Sequence, residues 1–482
     1  MGVLSGLEPA SVFQYFEEIA SIPHGSGDTK RISDYCVDFA KEHGLTYYQD
    51  TSNNIVIWKD GTEGYEDKPY VMLQGHLDMV CEKEGDCAID FEKDGLSLVL
   101  DGNIISAEGT TLGGDDGIAI AYALAILASK DIPHPPIEAV FTVDEEIGML
   151  GADALDMSIL KSKSMLNLDS EDEGVLLVSC AGGVTATCEL PVTRAELKGV
   201  MLTITVDGLL GGHSGQEIDK GRASSNQILG RVLSYVNHET PLNLITAEGG
   251  NKDNAIPRKS VAEILVQDEK AAQVVKEAVS RLHDIVKNEH HITDPDIEIS
   301  VRDGGAAGQK PMDRASTDRA IWMLRLLPQG VQRMSADIPG LVQTSLNLGI
   351  LKDEGNQLAA SFSVRSSVNT EKDELTDRLV NIMEALGGSV SFAGAYPAWE
   401  YKEGSKLQKL MIDTYKELYH KDMVVQAIHA GVECGLFADA VEGLDAVSIG
   451  PDMKDIHTPK ETLDADSVAR TWTYILKVLE RM

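Results

Sequence analysis

Four short apolar runs stand out along the chain: Tyr70–Leu73, Ile137–Val143, Met165–Leu168 and Ala446–Ile449. Runs of this length, bounded by polar and glycine-rich segments, predict buried strands. Between the first two lies Gly117–Ser129, GIAIAYALAILAS, apolar nearly all round and so predicted to be a helix buried against a sheet. The stretch after Glu8-Pro9 has the spacing of an amphipathic helix. Strands alternating with helices predict an α/β layered domain, with a mostly parallel mixed sheet and helices on both faces.

The texture changes after Ala181-Gly182-Gly183. Alternating segments at Met201–Val206 and Ser260–Val266 predict strands with one buried face, accompanied by amphipathic helices over Ser224–His238 and Ala271–Asn288. A second set follows, with strands at Leu341–Leu348 and Gln357–Val364 and a helix over Thr370–Leu386. These elements predict an inserted α+β lid domain over 184–395. Their order points to two similar halves, although no sequence repeat joins them. After Trp399, a helical stretch at Ser405–His420 and the strand at Ala446 return to the α/β style. The catalytic domain is therefore expected to be discontinuous, 1–183 and 396–482. At 482 residues the chain is long for one hydrophobic core, which agrees with more than one domain.

Composition narrows the class. With 43% apolar residues the chain reads as an ordinary globular protein. Its 77 acidic against 42 basic residues, a formal net charge of −35, would repel phosphate backbones and anionic lipid. Nucleic acid and membrane are therefore not expected partners. No run reaches the ~18 apolar residues of a membrane span, and the N-terminus lacks the basic start of a signal peptide. The six cysteines are scattered without a CxxC pair, which argues against a disulfide framework. A cytoplasmic location is the expectation.

The chemistry lies just beyond the predicted strands. Tyr70–Leu73 runs into His76-Leu77-Asp78, Ile137–Val143 into Asp144-Glu145-Glu146, Met165–Leu168 into Asp169, and Ala446–Ile449 through Gly450-Pro451 to His457. In open α/β sheets, sites form outside the carboxyl ends of strands. The glycine-rich turn Gly113–Gly117 adds Asp115 or Asp116 at the start of the buried helix. Each piece alone has a plainer reading. His76 and Asp78 share a face of an extended segment, as a ligand with its orienting carboxylate or as a polar strand end. Asp115-Asp116 is also a helix N-cap pair, and Glu145-Glu146 a solvated turn. Together, two histidines and several carboxylates suit zinc, manganese or cobalt rather than magnesium. One aspartate bridging two ions ~3.5–4 Å apart would make a two-metal site.

In order along essentially the whole chain, HLDMV, GGDDG, DEEIG, NLDSE and IHTPKE resemble the motifs of the co-catalytic di-zinc metallopeptidase superfamily, and within it the aminoacyl-histidine (Xaa-His) dipeptidases. The resemblance implies two divalent metal ions, zinc first, with cobalt or manganese as alternatives. His76 and Asp169 would hold one ion, Glu146 and His457 the other, and Asp115 would bridge them. Asp78 would accept the other ring N–H of His76 and fix its tautomer. Glu145 would be the general base toward a metal-bridged hydroxide, with exchange of the Glu145 and Glu146 roles left open. In the insertion, His213 of GGHSG is implied to stabilise the oxyanion, and Asn254 of DNAIP and Arg365 of VRSS to engage substrate. His429 and Glu433, within Ile428–Gly435, would contact the peptide's termini. In relatives with a shorter lid the histidine comes from a neighbouring subunit; the longer insertion here leads us to expect it within the same chain, a homodimer remaining open on other grounds. The implied activity is hydrolysis of unblocked dipeptides, Xaa-His peptides including β-alanyl-histidine. A tripeptide aminopeptidase or N-acyl-amino-acid deacylase of the superfamily is the alternative. A non-catalytic metal-binding relic is the rival of another class, but none of the implied ligands is missing, nor is the base.

Overall fold

The structure, a computed structural model, describes residues 2–305 and 308–482. They group into two compact units: Met1–Cys180 with Trp399–Ala427 and Val432–Met482, and Ala181–Ala398 with Ile428–Gly431. The sequence reading placed Ile428–Gly431 with the catalytic domain; here these four residues pack with the second unit. No helix among the described residues is long and apolar enough to cross a membrane.

The first unit is built on an eight-stranded mixed sheet. Its order is Thr46–Gln49, Ile55–Lys59, Ile137–Thr142, Val71–His76, Ser164–Asn167, Asp445–Ser448, Val175–Cys180, Val424–Ile428. The four central strands cover all but one residue of each of the four apolar runs, and they pair in parallel. Every residue of Val71–His76 and Ile137–Thr142 is buried, which is why these strands read as continuous apolar runs rather than alternating ones. The flanking strands at Thr46–Gln49 and Ile55–Lys59 pair antiparallel and carried no clear signal, the outer one being largely exposed.

The buried helix runs over Gly114–Ala128 and is buried on every side. It packs on the Val71–His76 strand through Gly75, where a Cβ would lie 2.4 Å from Asp116 Oδ2 and 2.8 Å from the Ala119 methyl. Glycine is the residue that permits this approach. A separate four-stranded sheet joins Ile104–Ala107 to Thr462–Asp464, with Leu463 opposite Ile105. It thereby ties the segment before GGDDG to the one after IHTPKE.

The second unit contains a nine-stranded sheet. Between Val200 and Asp303 the elements run strand, helix, strand, strand, helix, strand, and the strands lie in the order fourth, first, third, second. The remaining elements repeat both the run and the lay: Gly182–Pro191, helix Arg314–Leu326, Val342–Asp353, Gln357–Ser366, helix Asn369–Leu386, Ser389–Tyr396. The second strands of the two sets meet at Gly249 and Leu351. One core, including Leu229, Val232, Leu346, Phe362 and Leu379, runs through both.

Candidate metal centre and substrate groups

The parallel register brings the chemistry to one edge of the first unit's sheet. His76 ends its strand opposite Thr142, the last residue of the next strand and two before Asp144-Glu145-Glu146. Asn167, opposite Gln74, ends the strand that leads to Asp169, and Ser448 lies opposite Asn167. His76 Nδ1 lies 2.9 Å from the Asp78 backbone carbonyl, so this nitrogen carries a proton and Nε2 faces the carboxylates. Nε2 lies 3.0 Å from Asp115 Oδ1 and 3.6 Å from Asp169 Oδ1. His457 Nε2 lies 3.1 Å from Asp115 Oδ2 and 2.9 Å from Glu146 Oε1. The two oxygens of one carboxylate thus face two imidazoles, each with a further carboxylate beside it. His457 adopts a left-handed backbone, φ 60°, a conformation costly for a residue with a side chain and frequent at functional sites.

Asp115 and Asp116 differ in these contacts. Asp116 is fully buried, and its Oδ2 accepts the backbone N–H of His76 at 3.1 Å, so it supports the strand end. Ligand atoms of His76, Asp116 and Asp169 also lie within 4.8 Å of one another, as do those of His76, Glu145 and Glu146 and those of Asp115, Glu146 and His457. Asp115 is the carboxylate in contact with both histidines.

Asp78 lies beside the His76 ring as expected and has further partners. Its carboxylate is 3.5 Å from His76 Nδ1, farther than its own carbonyl. The carboxylate also accepts the Ser26 hydroxyl at 2.8 Å and the backbone N–H groups of Glu145 at 3.0 Å and Glu146 at 3.3 Å. Asp78 therefore clamps the Glu145-Glu146 turn. Glu433 departs from its expected part: it is fully buried, and its Oε2 accepts the Gln74 amide at 2.5 Å and the Thr142 hydroxyl at 2.6 Å. Asn167 donates in turn to Gln74 Oε1 at 2.6 Å. A carboxyl sequestered beneath the strand ends is a support, not a contact for a peptide terminus.

The electrostatics of this edge call for positive charge. Burial pushes the Glu145 carboxyl up to about 9 against the pull of His76, with Asp169, Glu433 and Glu146 adding to it. Burial likewise raises Asp169 to about 6 and Glu433 to about 7, and lifts Asp116 well above the carboxylate range. Against burial, hydrogen bonds with His457 and His76 hold Asp115 low. Hydrogen bonds with Asp115 and Glu146 push His457 up to about 10. The ion pairs of this cluster are with His76 and His457, and the buried Asp116 Oδ1 has no hydrogen-bond partner among the described residues. Crowded carboxylates facing two imidazoles fit divalent cations of borderline softness, whose charge would replace the protons these imidazoles otherwise hold.

A second group of polar side chains gathers within the second unit. The Gly212–His213 strand pairs with Ala255–Ile256, His213 opposite Ala255, so Asn254 lies beside His213. His213 Nδ1 accepts the backbone N–H groups of Gly215 at 3.2 Å and Gln216 at 3.1 Å. That fixes the tautomer with the proton on Nε2, leaving a neutral N–H donor. Burial, with the Arg365 charge, holds this imidazole below its usual range. His429 Nε2 lies 2.7 Å from Ser345 Oγ, and burial with the Arg365 and His213 charges takes it down to about 3. Arg365 is mostly buried and donates to the Tyr396 hydroxyl at 3.0 Å. Asn254 is exposed, and its loop is held by Asn347, whose amide donates to Asp253 O and Ala255 O at 2.8 Å each.

Sequence reasoning missed Ser26, Ser345, Asn347, Tyr396 and the Gln74-Thr142-Asn167 network, which reach these places through pairings far apart in the chain. Glu461 closes the IHTPKE motif, whose spacing does not reveal its contacts.

Comparison with known proteins agrees with this geometry. The chain is 37% identical over 484 residues to the cytosol non-specific dipeptidase of Escherichia coli (strain K12), covering all of this chain and 99% of the relative. It superposes on the crystal structure of aminoacylhistidine dipeptidase from Vibrio alginolyticus with a TM-score of 0.95 at 36% identity, covering 100% of this chain and 98% of the other. The aminopeptidase PepT from Bacillus cereus, at 15% identity and a TM-score of 0.56 over 98% of each chain, shares the fold. The model of peptidase family M20/M25/M40 matches residues 72–481, from the strand that delivers His76 to the C-terminal helix. With its histidines and carboxylates at one sheet edge and kinship over its full length, the chain belongs to peptidase family M20/M25/M40.

Proposed function

We propose that this chain is a metal-dependent dipeptidase acting on unblocked dipeptides, with Xaa-His peptides, β-alanyl-histidine among them, as its preferred substrates. The observation that carries the reading is the Asp115 carboxylate, whose oxygens lie 3.0 Å and 3.1 Å from two different histidines. His76 and Asp169 would hold one cation, Glu146 and His457 the other, with Asp115 shared; zinc fits the donor set best, with cobalt and manganese next. When bound, such a pair supplies Lewis acidity toward the scissile carbonyl and toward water.

The residues of the chain do the rest. Glu145, its backbone N–H held by Asp78, takes a proton from the attacking water at a carboxylate oxygen and delivers it to the leaving amine nitrogen. Burial, with neighbouring carboxylates adding to it, raises the proton affinity of Glu145, which aids the uptake of that proton. His213, with Nε2–H available, donates to the oxyanion. Asn254 and Arg365 engage polar groups of the peptide, Arg365 matching a carboxylate. His429, locked to Ser345, orders that side of the substrate group. His213 acts within its own chain, and a cytoplasmic location belongs to the same reading, supported by the relative's description as a cytosol enzyme.

The test compares an unblocked dipeptide with its N-acetylated analogue and with a tripeptide, before and after chelation and metal add-back. Chelator-sensitive hydrolysis favouring the unblocked dipeptide is expected. Preference for the acetylated compound would indicate a deacylase, and preference for the tripeptide a tripeptide aminopeptidase.

A further inference from the structure

Glu461 closes the IHTPKE motif, four residues after His457. It is 3% exposed. Its two oxygens accept the backbone N–H groups of four consecutive residues: Oε2 those of Leu112 at 2.8 Å and Gly113 at 3.3 Å, Oε1 those of Gly114 at 2.8 Å and Asp115 at 3.4 Å. This is the turn that presents Asp115. The turn is shaped around the carboxylate: a Cβ on Gly114 would lie 3.2 Å from Glu461 Oε1.

On its other side Glu461 belongs to the segment that bears His457. Its N–H donates to Thr458 O at 3.1 Å, and Thr458 Oγ1 donates to Asp455 O at 2.7 Å. The strand that follows, Thr462–Asp464, is paired with Ile104–Ala107. One carboxylate therefore joins the backbone behind Asp115 to the backbone behind His457, whose side chains meet at 3.1 Å. His76 is oriented independently, by Asp116 at its N–H and by the Asp78 carbonyl at Nδ1.

We propose that Glu461 is a positioning residue for one of the two cation sites: it orients the Asp115 carboxylate toward His457 and so sets the affinity of the cation held by Asp115, Glu146 and His457. The inference rests on the two-cation reading above. A glutamine cannot replace this carboxylate, because it offers one acceptor oxygen and turns an NH₂ toward N–H donors. Buried N–H groups would then be left unpaired. Loss of an outer support of this kind typically weakens metal binding 10–100-fold.

The experiment titrates zinc into metal-free wild type, Glu461→Gln and Glu461→Asp in competition with a chelator, with bound metal counted by elemental analysis and folding followed by circular dichroism. Wild type should bind two equivalents. Glu461→Gln should weaken the site of Glu146 and His457 roughly 10–100-fold and the site of His76 and Asp169, which also uses Asp115 but has its own supports, by less, with Glu461→Asp between. A residue serving only general stability would weaken both sites equally and in parallel with the melting temperature, and that result, or two unaltered sites, overturns the proposal. If Glu461→Gln does not fold, Gly114→Ala presses on the same oxygen from the turn and should show the same unequal loss; two unaltered sites in that variant would count equally against it. Wild type that binds no pair of cations refutes the two-cation reading itself, a result obtained before any variant is made.

Discussion

Glu145 and His213 carry the sharpest expectations at the scale of single residues. Glu145→Gln keeps the size of the side chain and removes its ability to take a proton. The turnover number should fall about 10²–10⁴-fold while bound metal stays at the wild-type level, which steady-state kinetics and elemental analysis together would show. His213→Ala should remove roughly 2.7–4 kcal/mol of transition-state stabilisation, read in kcat with KM little changed. His429 gives a pH dependence. Free in the unfolded chain it takes a proton near pH 6.5, whereas in the fold burial and its cationic neighbours delay protonation to about 3. The unfolded state then binds more protons in that window, so stability rises with pH and is lost as pH falls from about 6.5 toward 3. Urea unfolding of wild type and His429→Gln at several pH values should show a shallower acid loss in the variant. The histidines and carboxylates that meet at the sheet edge were legible because they followed each apolar run. The support given by Asp78 through its side chain to a neighbouring turn, and the sequestration of Glu433, were not. Both depend on which atoms meet once distant strands are side by side.

The elements follow from local pattern wherever one face or both are buried. The four central strands and the Gly114–Ala128 helix were visible as apolar runs, with ends shifted by a few residues because hydrogen bonding continues into polar positions such as His76. Thr46–Gln49 is exposed along most of its length and offers no period to read. The order of strands in either sheet is set by long-range pairing, which no local pattern encodes. Gly75 marks the tightest contact between strand and helix. Gly75→Ala should destabilise the chain by about 1–3 kcal/mol through overpacking against Asp116 and Ala119, measured by chemical denaturation. Because Asp116 braces His76, the same variant should also bind metal more weakly.

The whole molecule is two units in one chain, the second of which repeats one arrangement of strands and helices. We take that repeat to be what lets a single chain supply His213 to its own site. Mixing inactive His213→Ala and Glu145→Ala chains should then leave the mixture inactive, whereas recovered activity in mixed oligomers would show that the histidine acts on a neighbour. At this scale the start of the second unit lies close to the change of texture after Gly183. The return of Ile428–Gly431 to the second unit was not, since four residues carry no pattern. The central claim is that two cations share the Asp115 carboxylate. Anomalous diffraction at the zinc edge from crystals of the metal-loaded protein tests it most directly. Two peaks are predicted, one beside His76 and Asp169 and one beside Glu146 and His457, each about 2.0–2.2 Å from a different oxygen of Asp115. A single peak, or peaks that leave Asp115 uncoordinated, would contradict the account.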